Sequence, residues 1–176
     1  MPLIFSTDNT TTGTPLARTG ICNGMTAAWA RLSLQKDGCT TGDKTQVEAG
    51  GLLLATRVRL ALTGALDADR GAQWTTMLSS IGLTPTHRAS KTFGGSIALG
   101  NELLKYGSAT AYIVIPFAGG GHAMGARMSG TACDFFDPNT GLSRDETPVA
   151  FLASMTERMQ GYTGWMNNAT HIWTLA

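Results

Sequence analysis

Residues 111–141 read AYIVIPFAGGGHAMGARMSGTACDFFDPNTG, and this stretch decides the fold class. Ala111 to Phe117 is a short β-branched and aromatic run of strand length, which the glycines from Gly119 to Gly121 end. His122–Met128 and Ala132–Phe136 are two more strand candidates, with Ser129-Gly130 between them as a two-residue hairpin turn. Downstream, Thr147-Pro148 supplies the N-cap and first position of a helix reaching about Gln160, and Thr170–Leu175 is a closing strand. Upstream the period changes to that of helices. Ile21, Met25, Ala28, Trp29 and Leu32 form one apolar face from a start at Thr19 or Gly20. Thr45–Leu62 repeats the pattern with Val47, Leu54, Val58 and Ala61. Gly50 and Gly51 inside it each cost about 1 kcal/mol relative to Ala, which implies close packing against another helix. Asp67–Ile81 and Gly94–Tyr106 are further helices, separated by a Thr84-Pro85-Thr86 loop. Helices first and antiparallel strands afterwards make an α+β domain.

The chain has 176 residues, enough for one core without disulfides or a structural metal. Cys22, Cys39 and Cys133 are an odd set with no CxxC pair, which reads as free thiols and not as a disulfide framework or zinc knuckle. Thirteen Lys and Arg against twelve Asp and Glu leave no basic excess for phosphate contacts, so nucleic acid is not expected as a partner. The most apolar stretches fall short of the roughly 20 residues that a membrane span needs. Residues 1–14 hold the polar run STDNTTTGT and are read as a flexible leader, and residues 15–176 as a single domain. MPLIFSTDNTTTG has neither the basic nor the apolar region of a Sec-type signal peptide. Gly119 to Gly121 lack a following Lys-Ser/Thr, so no phosphate loop and no cofactor is expected.

With only His87, His122 and His171 available, the choice of a general base is short. Cys22 falls in the first turn of its helix, where unpaired N–H groups favour a thiolate; a free Cys in a helix is otherwise a small buried hydrophobe. With Ser129 and Gly130 as the loop residues, Met128 pairs with Thr131 and His122 falls opposite Asp137. The carboxylate can then accept the imidazole N–H and fix its tautomer. That is the base-and-orienter half of a triad whose nucleophile would be Cys22. Asp137-Pro138-Asn139-Thr140-Gly141 is equally an ordinary turn in which Asp caps its own backbone. His87 reads as a solvated loop residue, His171 as a strand filler, and Cys39 and Cys133 have no evident partner.

The strings GICNGMTAAWARL around Cys22, GGGHAMGARM around His122 and FFDPNTG around Asp137 resemble the YopT and AvrPphB family of bacterial effector cysteine proteases. That family's signatures are a Gly-x-Cys helix start with Trp seven residues on, His-Ala, and Asp-Pro-Asn-x-Gly, in this chain order, over residues 20–141 here. The resemblance implies a papain-like fold with a catalytic Cys22, His122, Asp137 triad, no cofactor and no metal. It also implies proteolysis of a protein in a host or target cell after delivery by a contact-dependent secretion system. The Gln or Asn expected shortly before the nucleophile is absent between Thr10 and Ile21. The Cys22 N–H would be one oxyanion donor, with Asn9 or Thr19 as candidates for the other. The same triad would serve a glutamine or asparagine deamidase, a transglutaminase or a peptidoglycan amidase. A non-enzymatic interaction module would use these residues only for packing and turns.

Overall fold

The computed structural model describes residues 2–9, 21–62, 70–117 and 120–176. Five α-helices are present among them: α1 Ile21–Lys36, α2 Lys44–Leu62, α3 Arg70–Ser80, α4 Ser96–Leu104 and α5 Pro148–Met159. Seven strands, β1 Leu3–Phe5, β2 Pro85–Lys91, β3 Ala109–Phe117, β4 Gly120–Met128, β5 Cys133–Asp137, β6 Gly141–Asp145 and β7 Thr170–Leu175, form one antiparallel sheet. Its order is β1-β6-β5-β4-β3-β7-β2. The α+β class and the helix carrying Cys22 against an antiparallel sheet are as the sequence implies. The proposed helix starts at Thr19 or Gly20 and at Asp67 lie outside the described residues, as does Gly119.

Helices cover both faces of the sheet. Met25, Trp29, Leu54, Met77, Tyr112, Phe136 and Trp173 share one core with α1, α2 and α3. Leu99, Ile113, Met124, Phe135, Phe151 and Met155 share the other with α4 and α5. β3 feeds alternate residues into both cores, so it reads as a continuous apolar run without alternation.

Three strands go beyond the sequence expectation, each because its residues do not advertise a buried face. β2 is polar and largely exposed, and as an edge strand it tolerates Pro85, which cannot donate to a ladder. His87 therefore sits on a strand and not in a loop. β6 carries Arg144 and Asp145. β1 is only three residues long, yet residues 3–5, which fall in the expected flexible leader, are strand and not mobile chain, while residues 10–14 lie outside the described residues. Leu3 pairs with Ser143 and Phe5 with Leu142, Phe5 is buried, and Thr7 Oγ1 donates to Pro138 O at 2.9 Å.

The β4–β5 hairpin turns one residue later than expected. Ser129 N bonds Ala132 O at 2.8 Å and Ser129 Oγ accepts from Ala132 N at 3.1 Å, so Gly130 and Thr131 are the loop residues. Met128 pairs with Cys133, not Thr131, and every partner moves by two. An even shift keeps each side chain on its face. His122 and Asp137 therefore remain on one side of the sheet as diagonal neighbours instead of direct opposites.

Helix α1 is not the amphipathic surface helix its spacing suggests, because its first ten residues are buried nearly all round. Small residues permit this. A Cβ on Gly24 would lie 2.1 Å from Gly51 O, and one on Gly51 would lie 2.4 Å from Met25 Cγ, so α1 and α2 touch backbone to backbone as the paired glycines imply. On the sheet side, a Cβ on Gly125 would lie 2.1 Å from Trp29 Cζ3. The Trp29 indole fills that notch and stacks on Phe136 at 5.4 Å and 7°. At the far end, Asp134 accepts from Arg144 Nε at 2.6 Å, and Arg127 bridges to Asp37 just past α1. Buried aromatic contact and this ion cluster thus fix where α1 lies, and with it where its N-terminus points.

Candidate active site

Three elements converge on one point. Cys22 is the second residue of α1, two helical turns before Trp29, so the indole anchor places the sulfur about 10 Å further along the helix axis. His122 lies near the start of β4, and Asp137 ends β5. Cys22 is 6% exposed, His122 4% and Asp137 0%.

The β4–β5 ladder stops at Gly125–Phe136. Continuing its register would set Ala123 against Pro138, which has no N–H to give. Side chains bond the carbonyls on both sides of the break. Thr26 Oγ1 of α1 donates to Ala123 O at 3.1 Å, and Thr7 donates to Pro138 O. This break lets the first turn of α1 meet His122 directly.

The structure brings the three sequence-nominated residues together. His122 Nε2 lies 2.8 Å from Asp137 Oδ1, and Cys22 is close enough to the ring to favour its protonated form. Asp137 does both things the sequence allowed, since it also caps its own turn by accepting from Asn139 N at 2.9 Å. Burial pushes its carboxyl up, but the bonds from His122, Asn139 N and Tyr162 hold it below the usual carboxylate range. Burial likewise pushes the imidazole down, while the bonds to Asp137 and then Cys22 outweigh it, and His122 is pushed up to about 9. A protonated imidazole beside the sulfur is the arrangement that supports a thiolate–imidazolium pair.

A folded-state value above the ordinary 6.5 means that the His122 charge stabilises the fold fully below that pH and is lost as pH rises through about 9. The His122 ring is accordingly expected to titrate near pH 9 by NMR, with the thermal midpoint falling across that range. Asp137→Asn should move the titration midpoint down. A ring that titrates at the ordinary value in the wild type contradicts this.

Tyr162 completes the site, and the sequence reading missed it. Its Oη lies 2.9 Å from Asp137 Oδ1 and 2.8 Å from Oδ2, where it donates its proton, and Asn139 Nδ2 donates to it at 2.8 Å. Its ring stacks on that of His122 at 4.7 Å and 22°. A tyrosine between Gly161 and Thr163 in a loop after a helix carries no local signal; only the Asn of the Asp-Pro-Asn turn hints that something must meet its amide.

The remaining candidates go elsewhere. His171 stacks on Trp173 at 5.9 Å, and His87 meets the same indole tilted, at 5.3 Å and 51°. Cys39 and Cys133 are buried free thiols, each pushed up by burial. Asn9 is half-buried two residues beyond Thr7, with its Oδ1 buried and unpartnered, and Thr19 lies outside the described residues. Among the described residues no group of three His, Cys, Asp or Glu side chains could hold a metal ion, and no helix is long and apolar enough to cross a membrane.

Helix-borne cysteine against an antiparallel sheet bearing histidine and aspartate is the papain-like cysteine protease fold, and the chain shares it with solved structures. One is the Pseudomonas avirulence protein AvrPphB, with a TM-score of 0.72 and 19% identity over 97% of this chain and 95% of that one. Another is the ubiquitin-specific protease encoded by the murine cytomegalovirus tegument protein M48, solved with a ubiquitin-based suicide substrate. It has a TM-score of 0.60 and 15% identity over 99% of this chain and 85% of that one. No family model and no curated protein sequence matches the chain.

Proposed function

We propose that the chain is a cysteine peptidase with Cys22 as nucleophile, His122 as general base and acid, and Asp137 as the group that orients and charges the imidazole. The observation that carries this reading is the buried His122–Asp137 hydrogen bond of 2.8 Å, with the buried Cys22 of α1 beside the imidazole. His122 takes the thiol proton and the sulfur attacks the carbonyl carbon of a peptide bond. The tetrahedral oxyanion forms beside the Cys22 N–H, with Asn9 or Thr19 as the candidate second donor. Collapse expels the amine, which receives the proton from His122, and leaves a thioester on Cys22. Water, deprotonated by His122, then hydrolyses the thioester to release the acid and restore the thiol.

The substrate in this reading is a protein of a host or target cell, reached by contact-dependent bacterial delivery. The support is the likeness to an avirulence protein together with the three family motifs.

Reactivity mapping tests the reading. Because burial keeps Cys39 and Cys133 as thiols, Cys22 should be alkylated by iodoacetamide at least about tenfold faster than either at pH 6 to 7, with loss of peptide hydrolysis in step. Equal rates for the three thiols in the folded protein would sink it. Loss of a glutamine side-chain amide without peptide cleavage would redirect it to deamidation.

A further inference from the structure

The Tyr162 contacts go beyond what a triad requires, and the role they suggest rests on the peptidase reading. Asp137 is fully buried, and its two oxygens receive His122 Nε2, Asn139 N and Tyr162 Oη. Three donors on one buried carboxylate fix its plane, and the plane fixes the direction in which Nε2 must point. Oη also lies 2.9 Å from Nε2, so the phenol stands directly against the His–Asp bond. The stacked ring covers one face of the imidazole. Tyr162 is itself held from two directions: Asn139 Nδ2 bonds its hydroxyl, and its ring packs partly buried against the α4–α5 core.

We infer that Tyr162 is a positioning residue of the triad, a roof whose ring keeps water from the His122–Asp137 pair and whose hydroxyl holds the carboxylate in the plane that aims the imidazole at Cys22. Attraction between Asp137 and a protonated His122 is strong in a dry site and weak in a wet one. Removing the roof therefore disfavours the imidazolium, and with it the thiolate that the imidazolium accompanies. The charged or titratable groups facing His122 are Cys22 from α1, Asp137 from β5 and Tyr162 itself. Arg158 of α5 stands behind, bonded to Gly141 O and Thr140 Oγ1 and attracted by Asp137.

The experiment tracks the iodoacetamide alkylation rate of Cys22 against pH in the full chain, by mass spectrometry, for wild type, Tyr162→Ala, Tyr162→Leu and Tyr162→Phe. In the Ala and Leu variants the pH of half-maximal rate should rise by about one unit, and turnover on a peptide substrate should fall about 10- to 100-fold. Tyr162→Phe keeps the ring and should recover at least half of the pH shift. Leu fills the space against the core, so the comparison survives if Tyr162→Ala does not fold. A purely structural residue would lower the melting temperature and leave the half-rate pH in place. Leu and Ala profiles that superimpose on the wild type, or a Phe profile no nearer to it than Leu, overturn the inference and leave the triad standing. A wild-type Cys22 that reacts no faster than Cys39 and Cys133 overturns both.

Discussion

Cys22→Ala and His122→Ala should each lower turnover on a peptide substrate by about 10⁴-fold or more, to near the uncatalysed rate. Without the sulfur no thioester forms. Without the imidazole the thiol keeps its proton and the leaving amine gains none. Asp137→Ala should retain about tenfold or more residual activity than either, because it removes only the group that aims and charges the ring. Residues acting as a unit are not additive, so a double variant of Cys22 and His122 should be no worse than one alone. The control is a thermal melt. Cys22→Ala deletes one sulfur atom from a helix held by Trp29, Gly24 and Gly51, and its midpoint should stay within a few degrees of the wild type. Activity that survives Cys22→Ala, together with unfolding of Asp137→Ala, would make these residues structural and favour an interaction module.

Gly125→Val should produce the largest loss of stability. Its Cβ would sit 2.1 Å from Trp29 Cζ3 and 2.4 Å from Cε3, inside a ring that is fully buried and stacked on Phe136. The indole is enclosed by its neighbours, so it can yield only if they move with it. Overpacking of this kind costs about 1–3 kcal/mol when the neighbours can yield and more when they cannot. At about 2–4 °C per kcal/mol for a chain of this size, the midpoint should fall by about 10 °C. Gly130→Val in the same hairpin is the comparison, since its added Cβ meets nothing within 4 Å and should be close to neutral. Any Gly125→Val protein that still folds should also lose activity, because Trp29 can move only by carrying α1 and Cys22 with it. Equal melts for the two variants would show that Trp29 does not anchor the helix.

The site was legible in part because its information is local in part. Cys22 could be placed on α1 because helical spacing is local: it precedes four apolar positions at that spacing. His122 and Asp137 could be read because a hairpin is nearly local, and the one-residue error in the turn cost only a diagonal in place of a direct pairing. Ser129 misled because it shapes the turn from its flank through its hydroxyl instead of occupying its centre. Tyr162 is 25 residues from Asp137, and no periodicity connects them. Two polar strands failed for a different reason: β2 and β6 are stabilised by ladder bonds and polar pairing, which leave no apolar alternation to detect.

The Trp29 notch has a bearing on how such chains can diverge. Trp29 belongs to the cysteine motif, Gly125 comes three residues after the histidine, and Phe136 immediately precedes the aspartate, yet the three form a single contact. The three sequence motifs therefore meet in one contact. A chimera that exchanged α1 without the β4–β5 hairpin would have to reinvent the fit of an indole into a glycine gap, while β2, on the outer edge of the sheet, lies beyond that contact. Recombination between related genes should preserve the helix and the hairpin as a linked pair and leave that edge to vary.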